Sequence, residues 1–290
     1  MVDIRKVTVL GAGVLGSQIA YQSAFKGFEV TSYDVSEDAL AAARDRFTKL
    51  AETYTREVPG ADSSSVTAGI DRITLTSDLA AAVTDADLVI EAVPEILDLK
   101  REIYTKIGEL APESAIFATN SSTLLPSDLK DFTGRPERFL ALHFANKVWQ
   151  FNTAEVMGTA DTDPAVYSAV VGFANDIGMV PIELHKEKAG YVLNSLLVPF
   201  LNAAVDLVAG GYADPEAVDR TWMVATGAPI GPCRIFDIIG FTTPYNIMSH
   251  GDAHAQELAA WLKENYIDKG KLGLASGEGF YRYPEDPSGD

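Results

Sequence analysis

Cysteine is nearly absent: Cys233 is the one thiol in 290 residues. A lone thiol closes no intrachain disulfide and supports no cysteine-based metal site, so no metal is expected and a reducing compartment is implied. Basic residues are also scarce, 23 Lys and Arg against 41 Asp and Glu, for a net charge of −18. That balance argues against nucleic acid and anionic membrane surfaces as partners, because both bind through Lys and Arg. It opposes long-range attraction of polyanionic substrates as well. No stretch reaches the ~18 uninterrupted apolar residues of a membrane span. The opening run MVDIRK lacks a basic region followed by an apolar core, so no signal peptide is expected and the expected location is cytoplasmic. Low-complexity tracts are missing too, and the length leaves room for one large domain and a smaller one.

What is present begins with Lys6 to Ala20, KVTVLGAGVLGSQIA. A β-branched apolar run stops at Gly11, and Gly13 and Gly16 complete G-x-G-x-x-G ahead of a predicted helix over 17–25. Gly11 permits a tight turn, Gly13 lets the backbone approach a pyrophosphate, and Gly16 allows the helix to pack on the strand. Free N–H groups at the helix start then face an anion. Glu29–Tyr33 reads as a second strand, and Asp34 stands at its end, about 20 residues past the last glycine, where an acid meets the adenosine ribose hydroxyls. Strand, turn, helix, strand and acid together specify a dinucleotide site, with Gly11, Gly13, Val14, Leu15, Gly16 and Asp34 as contacts. A carboxylate repels a 2′-phosphate, and no Lys or Arg lies between Asp34 and Ala43 to neutralise one. NAD(H) is therefore expected over NADP(H).

Farther along, a capped helix is predicted from Ser36, and Glu57–Thr67, with Pro59, Gly60 and three serines, reads as an exposed connection. Strands are predicted near 72–76, 87–93, 115–119, 139–143, 153–157 and 180–184, with helices over 77–83 and 97–110. Apolar strands alternating with helices specify an α/β Rossmann-type, doubly wound, mostly parallel sheet. Past His185-Lys186-Glu187-Lys188, read as a solvated linker, strand patterns vanish. Helices are predicted over 189–209, with a kink at Pro199, and over 215–224, 231–239 and 253–266. The expected domains are 1–185, binding NAD, and 186–290, a helical dimerisation and substrate domain. Surplus apolar helix faces imply a homodimer.

Ligands of a doubly wound sheet bind beyond the carboxyl ends of its strands. Polar residues there are Glu91, Glu95, Ser121, Ser122, His143 and Asn146. His143 is the one histidine of four at a strand end, and Ser121-Ser122 ends the preceding strand, so they are expected to be neighbours. That placement suits a catalytic role. Tyr54, Trp222 and Trp261 read as packing. Trp149 and Phe151 either pack a domain seam or form an aromatic substrate wall.

Several motifs resemble the L-3-hydroxyacyl-CoA dehydrogenase family: the glycine-rich start, Asn120-Ser121-Ser122, His143-Phe144-Ala145-Asn146, Thr153-Ala154-Glu155-Val156, the run from Gly190 to Pro199, and the terminal Gly277-Glu278-Gly279-Phe280-Tyr281. They occur in the family's order over nearly the whole chain, and the wording around His143 is similar to the NADH-dependent diketoreductase branch. The resemblance implies a general base at His143 with Glu155 as its carboxylate partner. It implies contacts from Ser122 and Asn194 to the reacting oxygen, and from Glu95, Lys100, Ser122 and Asn146 to the nicotinamide half of the cofactor. The chemistry is coherent: neutral imidazole can take a hydroxyl proton near pH 7, and a buried carboxylate orients the ring. The expected reaction interconverts 3-keto and (S)-3-hydroxy compounds with NAD(H). A non-catalytic NADH-binding sensor or structural protein is the competing class.

Departures from the family bear on the small-molecule substrate. Acyl-CoA members carry proline-rich apolar residues after the His-x-x-Asn motif, where this chain has Lys147-Val148-Trp149-Gln150-Phe151-Asn152. Basic residues that meet CoA phosphates are sparse over 50–57, the helical hairpin there looks short, and the lysine before the terminal motif is replaced by Leu274-Ala275, with Lys271 as a substitute. A CoA thioester and a shorter β-keto or β-hydroxy ester or acid both fit.

Overall fold

A computed structural model describes residues 3–283. They form two compact units, one ending at Val192 and the other beginning at Leu193. In the first, the chain runs β1 (Lys6–Leu10), α1 (Val14–Phe25), β2 (Glu29–Tyr33), α2 (Glu37–Glu57), α3 (Ser63–Asp71), β3 (Ile73–Thr76) and α4 (Leu79–Val83). It continues through β4 (Leu88–Glu91), α5 (Leu97–Leu110), β5 (Ile116–Thr119), β6 (Phe139–Phe144), β7 (Thr153–Gly158), α6 (Pro164–Asp176) and β8 (Val180–Leu184). The strands make one eight-stranded sheet in the order β3-β2-β1-β4-β5-β6-β7-β8. Neighbours are parallel except β6 and β7, so β7 and β8 run against the rest.

Helices cover both faces, as the uninterrupted apolar strands require. Every residue of β4, β5 and β6 is buried. Along β4 the side chains alternate: Leu88 and Ile90 enter one core with Ile19, Phe47 and Val170, while Val89 enters the other with Tyr104 and Phe117. Helix α2 forms because Ser36 caps it, its Oγ accepting from Ala39 N at 3.2 Å, and because Leu40, Ala43, Phe47, Leu50 and Tyr54 recur on one buried face. Helix α6, which the sequence pattern did not mark, adds Val166, Val170 and Phe173 to the first core.

The exposed connection expected over 57–67 is corrected. Helix α2 runs on to Glu57, and α3 starts at Ser63. Asp62 accepts from Ser65 N at 2.8 Å while Ser65 Oγ accepts from Asp62 N at 2.9 Å, a reciprocal cap. Serine suits helix starts as well as loops, and Val66 and Gly69 turn inward to complete the hairpin.

The second unit contains α7 (Leu193–Ala209), α8 (Pro215–Thr226), α9 (Pro232–Ile239), α10 (Thr242–Ser249) and α11 (Ala253–Asn265). Helix α7 begins at Leu193, not at 189, because Gly190 and Tyr191 adopt left-handed backbone, φ 79° and 49°. Pro199 lies inside it. The core collects Leu201, Val205, Phe236, Phe241, Leu258 and Leu262. Two buried carboxylates organise it. Asp219 caps α9 by accepting from Cys233 N and Arg234 N at 2.7 and 3.0 Å. Asp237 accepts from Phe280 N and Tyr281 N at 2.8 and 2.9 Å, which closes the terminal Gly277–Tyr281 turn onto the core.

Candidate active site

The strand order turns outward in both directions from between β1 and β4, and the cleft at their carboxyl ends is where a doubly wound sheet receives a dinucleotide. The cleft is lined by Gly13, Val14, Leu15 and Gly16 on one side and by Glu95, Lys100, Asn120, Ser122 and Thr123 on the other. Gly11 has φ 98°, and a Cβ there would lie 2.6 Å from Ala92 O. A Cβ on Gly16 would lie 1.8 Å from Gly11 O, so the third glycine is demanded by the turn folding on itself before any packing on the strand. A Cβ on Gly13 would meet nothing within 4 Å. The space in front of Gly13 is open at the amino end of α1, where backbone N–H groups suit an anion. Asp34 is positioned by the same loop, accepting from Ala12 N and Val35 N at 2.8 Å each. A carboxylate oxygen has two acceptor sites, which leaves capacity for ribose hydroxyls.

Across the cleft the acids expected at strand ends divide into two kinds. Glu91, the last residue of β4, is wholly enclosed. It accepts from Lys100 Nζ at 2.5 Å, Thr119 Oγ1 at 2.9 Å and Val93 N at 2.9 Å. Lys100, equally buried on α5, also reaches Glu95 at 3.2 Å. Glu95 is partly exposed at the cleft. Its burial raises the carboxyl pKa, but hydrogen bonds from Ser121 and Thr123 and the Lys100 charge outweigh that and hold it at about 2. Glu95 is thus a fixed anion, and Lys100 a cation locked by the two carboxylates.

The sheet register brings the next group together. His143 on β6 lies opposite Glu155 on the antiparallel β7. The imidazole Nδ1–H donates to Glu155 Oε2 at 2.9 Å, and Val192 N donates to the other carboxylate oxygen at 2.9 Å. On the far side of the ring, Ser122 Oγ lies 3.0 Å from His143 Nε2. With the carboxylate at Nδ1, Nε2 is the nitrogen on the Ser122 side of the ring. His143 and Glu155 are both buried, at 5% and 3% exposure, while Ser122 opens to the cleft.

Tyr191, inside the run from Gly190 to Pro199 and given no role by the sequence, belongs here. Its ring stacks on the imidazole at 4.4 Å between centroids and 10° between planes, and its hydroxyl donates to Ser121 O at 2.7 Å. Burial first, then the Glu95 and Glu155 charges, push the phenol well above its ordinary pKa, so it stays protonated. The available signal was an aromatic after glycine directly ahead of a long apolar helix. Gln18, to which no sequence motif gives a role, also acts here: its carboxamide oxygen accepts from Lys147 N at 2.7 Å and ties the loop after β6 to α1.

The remaining expected residues are placed as follows. Asn146 is exposed on the loop after β6. Asn194 lies in the first turn of α7, in the second unit. Trp149 Nε1–H donates to Glu57 at 2.8 Å and its ring rests 5.7 Å from that of Tyr54, so it packs against α2. Phe151 is half exposed. Within the linker, Glu187 accepts from Ser127 N at 2.8 Å and is only partly solvated. Among the described residues no cluster of His, Cys, Asp and Glu is arranged to hold a metal ion, and no helix is long and apolar enough to cross a membrane.

Comparison with known proteins follows the same outline. Residues 6–188 match the family model described as 3-hydroxyacyl-CoA dehydrogenase, NAD binding domain, and residues 190–283 match 3-hydroxyacyl-CoA dehydrogenase, C-terminal domain. A solved structure described as showing substrate-directed dual catalysis of dicarbonyl compounds by diketoreductase is 66% identical, with TM-score 0.95, covering 98% of this chain and 100% of that one. A probable 3-hydroxybutyryl-CoA dehydrogenase of Bacillus subtilis is 33% identical over 99% of this chain and 100% of its own length. The mitochondrial hydroxyacyl-coenzyme A dehydrogenase of Mus musculus is 33% identical over 97% of this chain and 91% of its own length.

Proposed function

The chain belongs to the 3-hydroxyacyl-CoA dehydrogenase family of NAD-dependent oxidoreductases, and from that premise we propose that it interconverts 3-keto and (S)-3-hydroxy compounds with His143 and Glu155 as the acid/base pair. The observation that carries the reading is the line Ser122–His143–Glu155 beside the NAD cleft, at 3.0 and 2.9 Å. Nicotinamide held in this cleft would supply or accept the hydride. In the oxidative direction His143 Nε2 takes the hydroxyl proton of the substrate, and in reduction the imidazolium returns it. Glu155 holds the tautomer and stabilises the imidazolium. Ser122 and Asn194 donate to the oxygen as charge gathers on it, each such donor contributing about 3–4 kcal/mol to lowering the barrier. Glu95, Lys100 and Asn146 orient the nicotinamide half of the cofactor.

For the acyl group, a β-keto or β-diketo ester or acid is favoured over a CoA thioester. The reasons are the net charge of −18, the scarcity of cations over 50–57, and the dicarbonyl chemistry named for the 66%-identical neighbour. NADH oxidation with a β-diketo ester and with acetoacetyl-CoA, compared as kcat/KM, tests this. Faster turnover of the ester is expected, and faster turnover of the thioester reverses the substrate choice. Binding of NADH with no turnover of either would favour the sensor reading. We place NAD binding in the expected domain 1–185 and dimerisation in 186–290, of which 284–290 lie outside the described residues. Exposed Leu196, Tyr212 and Val224 on the second unit support a homodimer, and the proposed location is cytoplasmic.

A further inference from the structure

The sequence places no cation between Asp34 and Ala43, yet the fold brings one to the same loop. Arg46 lies on α2, and helical side chains lean toward the helix start. Its Nη1–H donates to Ala12 O at 3.0 Å. The N–H of that same residue, Ala12, donates to Asp34 at 2.8 Å. A carboxylate and a guanidinium therefore attach to the two polar groups of one glycine-loop residue, without an ion pair between them. Among the described residues, the bond to Ala12 O is the one hydrogen bond or ion pair that Arg46 makes. It uses one of five N–H donors, and the side chain is half-buried beside the loop.

We propose that Arg46 is a preformed cationic half-site for a cofactor 2′-phosphate, and that Asp34 is the single residue keeping NADPH out. The inference rests on the reading that Asp34 faces the adenosine ribose. Asp34 accepts from ribose hydroxyls and repels a dianionic phosphate at that position. A guanidinium is the group suited to a phosphate there, through charge-assisted and bidentate hydrogen bonds. Removal of the carboxylate leaves its counterpart already in place, held by the loop and by the buried face of α2. The alternative for Arg46 is a strut that merely fixes the loop to α2.

Direct binding of NADH and NADPH separates these, read as energy transfer from protein tryptophan to the reduced nicotinamide, with no turnover required. The set is the full-length wild type, Asp34→Ser, Arg46→Met, Asp34→Ser with Arg46→Met, and Asp34→Ser with Arg46→Lys. Asp34→Ser is expected to weaken NADH and to tighten NADPH at least about tenfold. Adding Arg46→Met removes most of that gain while leaving NADH binding at the Asp34→Ser level, and adding Arg46→Lys keeps part of it. Methionine retains the packing of the arginine stem, so a strut role would leave the NADPH gain intact in Asp34→Ser with Arg46→Met, and that result overturns the proposal. Should Asp34→Ser change neither cofactor's affinity, the ribose reading of Asp34 falls and this inference with it. Should NADH weaken and NADPH tighten to the same extent with and without Arg46, the proposal falls while the ribose reading of Asp34 stands.

Discussion

The ring of Tyr191 lies flat against the imidazole of His143, 4.4 Å between centroids and 10° between planes. Two successive left-handed residues, Gly190 and Tyr191, hold it there, and the next amide, Val192 N, binds the carboxylate that binds the imidazole. One short turn therefore clamps the face of the ring and its acidic partner. A non-glycine residue at φ 49° stores strain of order 1–3 kcal/mol, which persists where the surroundings enforce it.

Tyr191→Leu is expected to lower kcat by about tenfold or more, since misplacing a catalytic group by about an ångström costs that and beyond. Tyr191→Phe keeps the stack, loses only the bond to Ser121 O, and retains most activity. The KM for NADH stays within a factor of about two in both, by the same argument. Equal rates for the leucine and phenylalanine variants would show that the stack does nothing for the imidazole.

Glu155→Gln removes the charge proposed to stabilise the imidazolium and leaves the shape. The expectation is a fall in kcat of about 10²–10⁴-fold with NADH binding preserved, as for loss of a general acid/base or its orienting acid. His143→Ala falls by a similar factor, and the double variant falls little further because the two act as a unit. Multiplicative losses in the double variant would separate the pair.

The glycines of the loop differ in kind. Gly16→Ala places a Cβ 1.8 Å from Gly11 O, so the turn must open, at a cost of about 1–3 kcal/mol in unfolding free energy. Gly13→Ala meets nothing within 4 Å and leaves thermal stability unchanged. It fills the space in front of the helix start and weakens NADH by at least about tenfold. Thermal melts with and without NADH distinguish the two.

Glu95 sets a pH dependence. Its carboxyl is held at about 2 against an ordinary 4.5, so its contribution to stability is fully present above 4.5 and is lost as pH falls through about 2. Glu95→Gln is expected to be less stable than wild type at pH 6, with the gap closing between pH 4.5 and 2. Urea midpoints measured across that range check it. A gap that stays constant with pH would mean that the carboxylate charge is not what stabilises the cleft wall.

Much of the fold was legible because its signals are local. Strands β4 and β5 are short apolar runs ended by polar residues, and α5 lies over Leu97–Leu110 as its periodicity requires. The stretch over 57–67 misled because Asp62 and Ser65 cap each other, and serine serves loops and helix starts alike. Helix α7 begins at Leu193 because the backbone at Gly190 and Tyr191 turns left-handed, which a run of apolar residues does not announce.

The amino-acid sequence alone determined the doubly wound α/β scaffold, the glycine loop with its acid at the end of β2, and the family, because each depends on residue type at short spacing. The motifs already pointed to His143 with Glu155 and Ser122, but the tertiary structure decided how these side chains meet and which others join them. The antiparallel turn of β7 set Glu155 beside His143, the turn at 190–192 laid Tyr191 on the imidazole, and α2 carried Arg46 back to Ala12. Such pairings join residues distant in the chain, and strand register and helix placement, which come from burying whole faces together, choose them.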